Sequence, residues 1–266
     1  MNREERINHC IIEHHKEALQ YFDESRIVGI FLQGSQNYGL DYEKSDIDTK
    51  LIITPTFQEI AFNKSPVSTT HIRENEEHID FKDVRLYMQT FRKQNINFLE
   101  ILFTKFKLVN YKYSYFWDKL VSHREEIARY NPYQAIKAMK GVAMEKYHAM
   151  EHAYPSKAAV LAEYGYDPKQ LHHLLRVEEF IDRYIAGEAY ENCIKPARKE
   201  YLLEAKRGYY DLETARIVGK TAIANVERIA DEFTSKVENK GDPYVDALLD
   251  SVQYDIMKRA IKEELM

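Results

Sequence analysis

Apolar positions near the start of the chain return at helical intervals. Ile7, Ile11, Ala18, Leu19 and Phe22 recur with the spacing of one helix face, which predicts an amphipathic helix closing between Asp23 and Ser25. The rhythm then changes. "IVGIFL", Ile27 to Leu32, is a nearly continuous apolar run with β-branched residues, the pattern of a strand buried on both faces. After a turn-rich segment from Gly34 onward, "DIDTKLIIT" alternates until Pro55 stops it. Period-two geometry sets Asp46, Asp48 and Lys50 on one face and Ile47, Thr49 and Leu51 on the other. "STTHIRENEEHIDF", Ser68 to Phe81, predicts two short strands around a polar turn at Glu74 to Glu76. Ile79 and Phe81 face one way there, and His78 and Asp80 the other. Asp83 has the look of an N-cap for a helix carrying Val84, Leu86, Tyr87 and Phe91, and a second helix covers "INFLEILF".

From about Tyr111 the strand signals stop. Helical patterns follow one another, punctuated by Asn131-Pro132, Tyr154-Pro155, Gly165 to Pro168, Pro196 and Gly208. The expectation is an α/β (α+β) domain over residues 1–110 and an all-α helical domain over residues 111–266, packed together because no Gly/Ser linker separates them. A chain of 266 residues with 44% apolar content can bury a sizeable core. Its net charge of -5 supplies no global basic field, so any polyanion site has to be a local patch. Cys10 and Cys193 match no metal-finger or redox spacing, which suits a reducing, cytoplasmic setting without disulfides. The N-terminal residues are charged throughout and no apolar run is long enough to span a bilayer, so neither a signal peptide nor a membrane partner is expected.

Candidate chemistry gathers in "GSQNYGLDYEKSDIDTK", residues 34–50. Asp-x-Asp pairs are common at strand starts, where short polar side chains satisfy backbone groups. The context here is different. Two like charges on one face of a strand with apolar flanks repel, and a divalent cation relieves that cost. Asp80, on the equivalent face of a later strand, is placed to complete the cluster, and oxygen-only ligands favour Mg²⁺ or Mn²⁺ over zinc. Gly34 and Ser35 follow directly on the buried strand, where backbone N–H groups and a hydroxyl can hold a phosphate. Gly39 lets the chain turn back toward the acidic strand.

"GSQNYGLDYEKSDID" resembles the signature of the polymerase-beta-like nucleotidyltransferase superfamily, in which a Gly-Ser turn leads to an Asp-x-Asp strand with a third carboxylate on a later strand. Its Tyr38-Gly39 is similar to a bacterial and phage subgroup associated with RNA-repair gene sets, and "NINFLEILFT" and "EYGYDPKQLHHLLRVEEF" extend the resemblance into both halves. The resemblance implies a mixed sheet with flanking helices as the catalytic domain, followed by a helical substrate-binding domain. It implies that Asp46 and Asp48 hold two Mg²⁺ (or Mn²⁺) ions and that Asp80 shares one of them. Gly34 and Ser35 would grip a nucleoside triphosphate such as ATP, with Tyr38 beside it, while an acceptor hydroxyl attacks the α-phosphorus and expels pyrophosphate. Many members carry Arg-Gly where this chain has Tyr38-Gly39, which argues against aminoglycoside-like acceptors. An RNA end, a protein hydroxyl or another small molecule stays open. Glu77 and Asp83 compete with Asp80 for the third position, although Asp83 already has a capping role.

In the helical half, Asp167-Pro168 is an N-cap followed by an N1 proline. Lys169, His173 and Arg176 then lie four and three residues apart, a cationic row suited to nucleotide phosphates or, alternatively, a solvated helix face. His172 points elsewhere on that helix. "HAMEH", His148 to His152, fits the inverted zincin pattern and raises a zinc hydrolase as a lesser alternative, without a third ligand following it. The other alternative is a nucleotide- or RNA-binding module of the same fold without turnover.

Overall fold

A computed structural model describes residues 1–42 and 45–266, the side chain of Ser156 excepted. Glu43 and Lys44, inside the acidic stretch, lie outside the described residues. Five strands, β1 (Ile27–Gln33), β2 (Asp48–Ile53), β3 (Ser68–Ile72), β4 (His78–Asp83) and β5 (Lys107–Val109), form one mixed sheet in the order β3-β4-β2-β1-β5. β1 runs antiparallel to β2 and β5, and β2 runs parallel to β4. The register pairs Gln33 with Asp48 and Lys50 with Asp80. The last residue of β1 therefore lies at the same end of the sheet as the first residues of β2 and β4.

The helices in chain order are α1 (Arg3–Ala18), α2 (Ser35–Tyr38), α3 (Phe57–Ala61), α4 (Val84–Arg92), α5 (Ile96–Leu99), α6 (Ser114–Ser122) and α7 (Arg124–Ala128). They continue with α8 (Pro132–Ala149), α9 (Ala158–Tyr164), α10 (Pro168–Ile185), α11 (Tyr190–Ile194), α12 (Lys199–Lys206), α13 (Leu212–Thr234) and α14 (Pro243–Glu264). α1 starts on a capping box between Asn2 and Glu5 and sets Ile7, Ile11 and Ala18 against Ile30, Leu32, Ile47, Leu51, Ile53, Ile79 and Phe81. That is the core of one sheet face. On the other face Phe31 meets Trp117 of α6, with ring centroids 4.1 Å apart.

The chain forms two compact units. One comprises Met1–Asn37, Asp41–Tyr130 and Gly241–Met266, and the other Tyr38–Leu40 and Asn131–Lys240. This division differs from a single boundary at residue 110. α6 and α7 stay with the sheet because Trp117 packs on β1, and α14 returns to it. There Arg92 of α4 donates to Asp246 and Asp250 at 2.7 Å each, and Tyr130 donates to Asp246 at 2.9 Å. In the second unit α8, α10 and α13 pack on one another, with α12 against α10. α10 is its central helix, buried along Leu171, Leu174, Leu175, Phe180 and Ile181.

Candidate functional site at one end of the sheet

β1 ends at Gly34, whose φ of +90° is a left-handed conformation that a side chain rarely adopts. The turn is held from below. Glu100, only 2% exposed, accepts the Gly34 N–H at 3.1 Å, Asn37 Nδ2 donates to Leu32 O at 2.9 Å, and Thr104 Oγ1 donates to Asn37 Oδ1 at 2.7 Å. From above it is open, since a Cβ on Gly34 would meet nothing nearer than Gln36 Oε1 at 4.0 Å. Ser35 follows, half-buried.

α1 steers the loop that leads from this turn to β2. Arg3 donates through Nε and Nη2 to the Asp41 carboxylate at 2.7 Å each and to Gln36 O at 2.7 Å, while Arg6 donates to Ser45 O at 3.2 Å. The Gln36 side-chain amide donates to Asp46 O. Asp46 itself precedes β2 and is exposed, so the strand alternation expected to begin there begins at Asp48 instead. The backbone oxygen of Asp46 is held by Gln36 rather than by a ladder partner.

Asp48 is half-buried and accepts the His78 N–H at 2.9 Å. Asp80 shares its face. Lys50 Nζ lies 3.0 Å from Asp80 Oδ2 and Thr70 Oγ1 donates to Asp80 Oδ1 at 2.6 Å. Lys50 is almost fully buried, with its ammonium 4.2 Å over the Phe98 ring. Burial pushes the Asp80 carboxyl upward, but Lys50 and Thr70 outweigh it and hold the group below its ordinary range. Burial likewise lowers the Lys50 ammonium against the pull of Asp80. Of the other two acids in competition, Glu77 faces His14 and Arg73, at 3.0 and 2.8 Å, and Asp83 caps α4 and pairs with Arg85 at 2.6 Å. Among the three, Asp80 is the one beside Asp48.

The oxygen donors suit a hard divalent cation. In number they fall short as arranged, because Lys50 and Thr70 occupy Asp80. Among the described residues no group of three His, Cys, Asp or Glu side chains is disposed to hold an ion.

In the helical unit the Arg176 guanidinium lies over the Tyr38 ring at 4.4 Å, and Lys206 Nζ donates to Leu40 O at 2.8 Å. Tyr38 and Arg176 are both buried, whereas Lys169 is exposed and His173 half-buried. The expected row is therefore graded from solvent to interior. Burial, then the neighbouring His172, Arg176 and Lys169, push the His173 imidazole well below its usual range. His172 donates from Nδ1 to Leu202 O at 2.9 Å, and burial takes its pKa down to about 3, which makes it a neutral core histidine. The zincin match loses its helix, since α8 ends at Ala149, His152 lies beyond it, and Glu151 accepts from Arg216 at 3.0 Å.

Glu100 has no role in the sequence-based expectations, and Lys50 enters them only as a neighbour of the aspartates on their face of β2. A lone carboxylate inside the apolar "INFLEILF" is the signal that marks Glu100.

No family model matches this chain, and no curated protein does. A crystal structure of a nucleotidyltransferase-like protein from Exiguobacterium sibiricum is similar over 84% of this chain and 75% of its own, at 9% identity and a TM-score of 0.31. At that level of likeness nothing is carried from it to this chain.

Proposed function

We propose that the protein is a nucleotidyltransferase that moves a nucleoside monophosphate from a nucleoside triphosphate to an acceptor hydroxyl and releases pyrophosphate. The observation that carries the reading is the gathering, at one end of the sheet, of an open Gly34-Ser35 turn and the strand carboxylates Asp48 and Asp80, with Asp46 just ahead. In this reading the Gly34 turn and the Ser35 hydroxyl hold the triphosphate, with Glu100 fixing the turn from beneath. Asp46 and Asp48 would hold Mg²⁺ or Mn²⁺, with Asp80 sharing one of the ions while Lys50 and Thr70 stay beside it. The cation would neutralise the phosphate oxygens and make the α-phosphorus a better electrophile.

Asp80, kept ionised by Lys50 and Thr70, orients the acceptor hydroxyl and takes its proton as the hydroxyl oxygen bonds to the α-phosphorus. The bond from that phosphorus to the bridging oxygen breaks, and pyrophosphate leaves. Tyr38, Lys169, His173 and Arg176 serve nucleotide or acceptor recognition, with an RNA end as the favoured acceptor and a protein hydroxyl or small molecule as the others. The direct test offers each of the four nucleoside triphosphates, labelled at the α-phosphate, together with cellular RNA and protein. Label carried into RNA is the expected result. Label in protein would replace the acceptor, label in neither would send the search to an extract of small metabolites, and no labelled product there either would oppose transfer.

A second reading is a nucleotide-binding module without turnover, and the commitment of Asp80 to Lys50 and Thr70 favours it. Nucleotide binding without pyrophosphate release, under every metal condition, would decide for it.

A further inference from the structure

The two histidines of the zincin-like motif have another use. Past the end of α8 the chain turns over the start of α10, where Met150 O accepts the Asp167 N–H at 2.7 Å. Beneath this turn lies a cavity of about 320 Å³, lined by His148, His152, Tyr154, Lys146, Lys157 and Gln170. Three features of it point to a ligand. The His152 and Tyr154 rings, both exposed, have centroids 4.3 Å apart and form an aromatic step at the cavity. Gln170 Oε1 is buried and accepts no hydrogen bond, while its Nε2 is turned to Asp167 Oδ2 at 3.4 Å. The site therefore holds an acceptor that asks for an N–H.

The third feature is the placement of charge. Glu145 and Asp167 also line the cavity, but each is matched by a lysine, Lys146 at 2.7 Å and Lys157 at 3.1 Å. The matched carboxylates remove the reason for a cation to bind. Lys146 pairs with an exposed neighbour in its own sequence, an exchangeable contact that an incoming anion can replace.

We propose that this cavity binds a ribonucleoside monophosphate. Its base stacks on the His152–Tyr154 step and donates an N–H to Gln170 Oε1, and its phosphate meets the Lys146 and Lys157 ammoniums. Base–aromatic stacking tolerates every base, and the single acceptor selects only for an N–H on the heterocycle. The site does not rest on the transferase reading, since none of the residues given a role in that reading lines the cavity.

Calorimetric titration of the full chain with adenosine monophosphate, adenosine and ribose 5-phosphate tests the proposal. The monophosphate should bind at least about tenfold more tightly than either fragment. Gln170→Met, which keeps the volume and removes the acceptor, should weaken adenosine monophosphate about tenfold while leaving ribose 5-phosphate unchanged. Tyr154→Ala should weaken both base-bearing ligands and leave the circular dichroism spectrum as in the parent. Absence of monophosphate binding would overturn the assignment. So would binding indifferent to Gln170→Met and Tyr154→Ala, which would locate the nucleotide elsewhere, or stoichiometric zinc lost on His148→Ala and His152→Ala.

Discussion

The two faces of β2 carry polar networks built from similar residues and put to different ends. On the α1 side, fully buried His14 donates from Nε2 to Glu77 at 3.0 Å and lies 2.9 Å from Thr49 Oγ1. Arg73 then ties Glu77, at 2.8 Å, to Glu17, at 2.7 Å. Its inner members, His14 and Glu77, are buried beneath α1, while Arg73 and Glu17 close it at the edge. On the opposite side Asp48 and Asp80 keep 29% and 27% of their side chains in solvent, with Lys50 buried between strand and ring. Charge count does not separate the two faces. Access does, because a sealed network can only hold the fold together, whereas an open one can exchange a protein partner for a ligand.

If that contrast is right, the largest effect belongs to the open face. Asp48→Asn should lower transfer by about a thousandfold or more while secondary structure and melting temperature are kept, since it removes a like charge rather than a packing group. Retained turnover, or lost helicity by circular dichroism, would break the assignment. Next comes Lys50→Met, which leaves Asp80 without its buried cation and should raise that carboxyl's pKa. We expect kcat to fall roughly 10- to 100-fold, with its acid limb moved to higher pH. An unchanged pH–rate profile would mean that Lys50 serves packing alone.

The sealed face should show the reverse signature. Burial alone would raise the Glu77 carboxyl, but its hydrogen bonds to His14, Asn75 and Arg73 take the pKa down to about 2 from 4.5. A depressed folded-state pKa means that Glu77 contributes its stability above about pH 4.5 and loses it as pH falls toward 2. Glu77→Gln should thus cost about 2 kcal/mol at neutral pH, flatten the acid limb of the stability curve and leave transfer unchanged. Urea unfolding from pH 7 to pH 2 reads both. The smallest effect is expected beneath the turn, where Glu100→Gln replaces a charged acceptor of the Gly34 N–H by a neutral one. It should raise KM for the triphosphate several-fold with kcat nearly constant.

Local periodicity made much of this legible in advance. Strand alternation gave the faces of Asp48, Lys50 and Asp80 correctly, and Asp83 and Asp167 cap α4 and α10 as their positions suggested. What escaped was set by contacts distant in sequence. The chain joins β2 only after Asp46 because the loop ahead of it is fastened by Arg3 and Arg6 of α1, some forty residues earlier. Glu100 reads as an oddity in an apolar helix until Gly34, 66 residues away, is set against it. α14 belongs with the sheet through Arg92, and no periodicity within α14 names that partner. The short β5 was missed because three residues carry too little pattern to register.

The account turns on chemistry at the acidic end of the sheet, and pyrophosphate release tests it most directly. The parent chain and the Asp46→Asn/Asp48→Asn double variant should be compared with each nucleoside triphosphate, with Mg²⁺, with Mn²⁺ and with chelator. The account predicts release by the parent that needs the divalent ion and acceptor and vanishes in the double variant. Release that survives in the double variant, or its absence from a parent chain that binds the nucleotide, would contradict it.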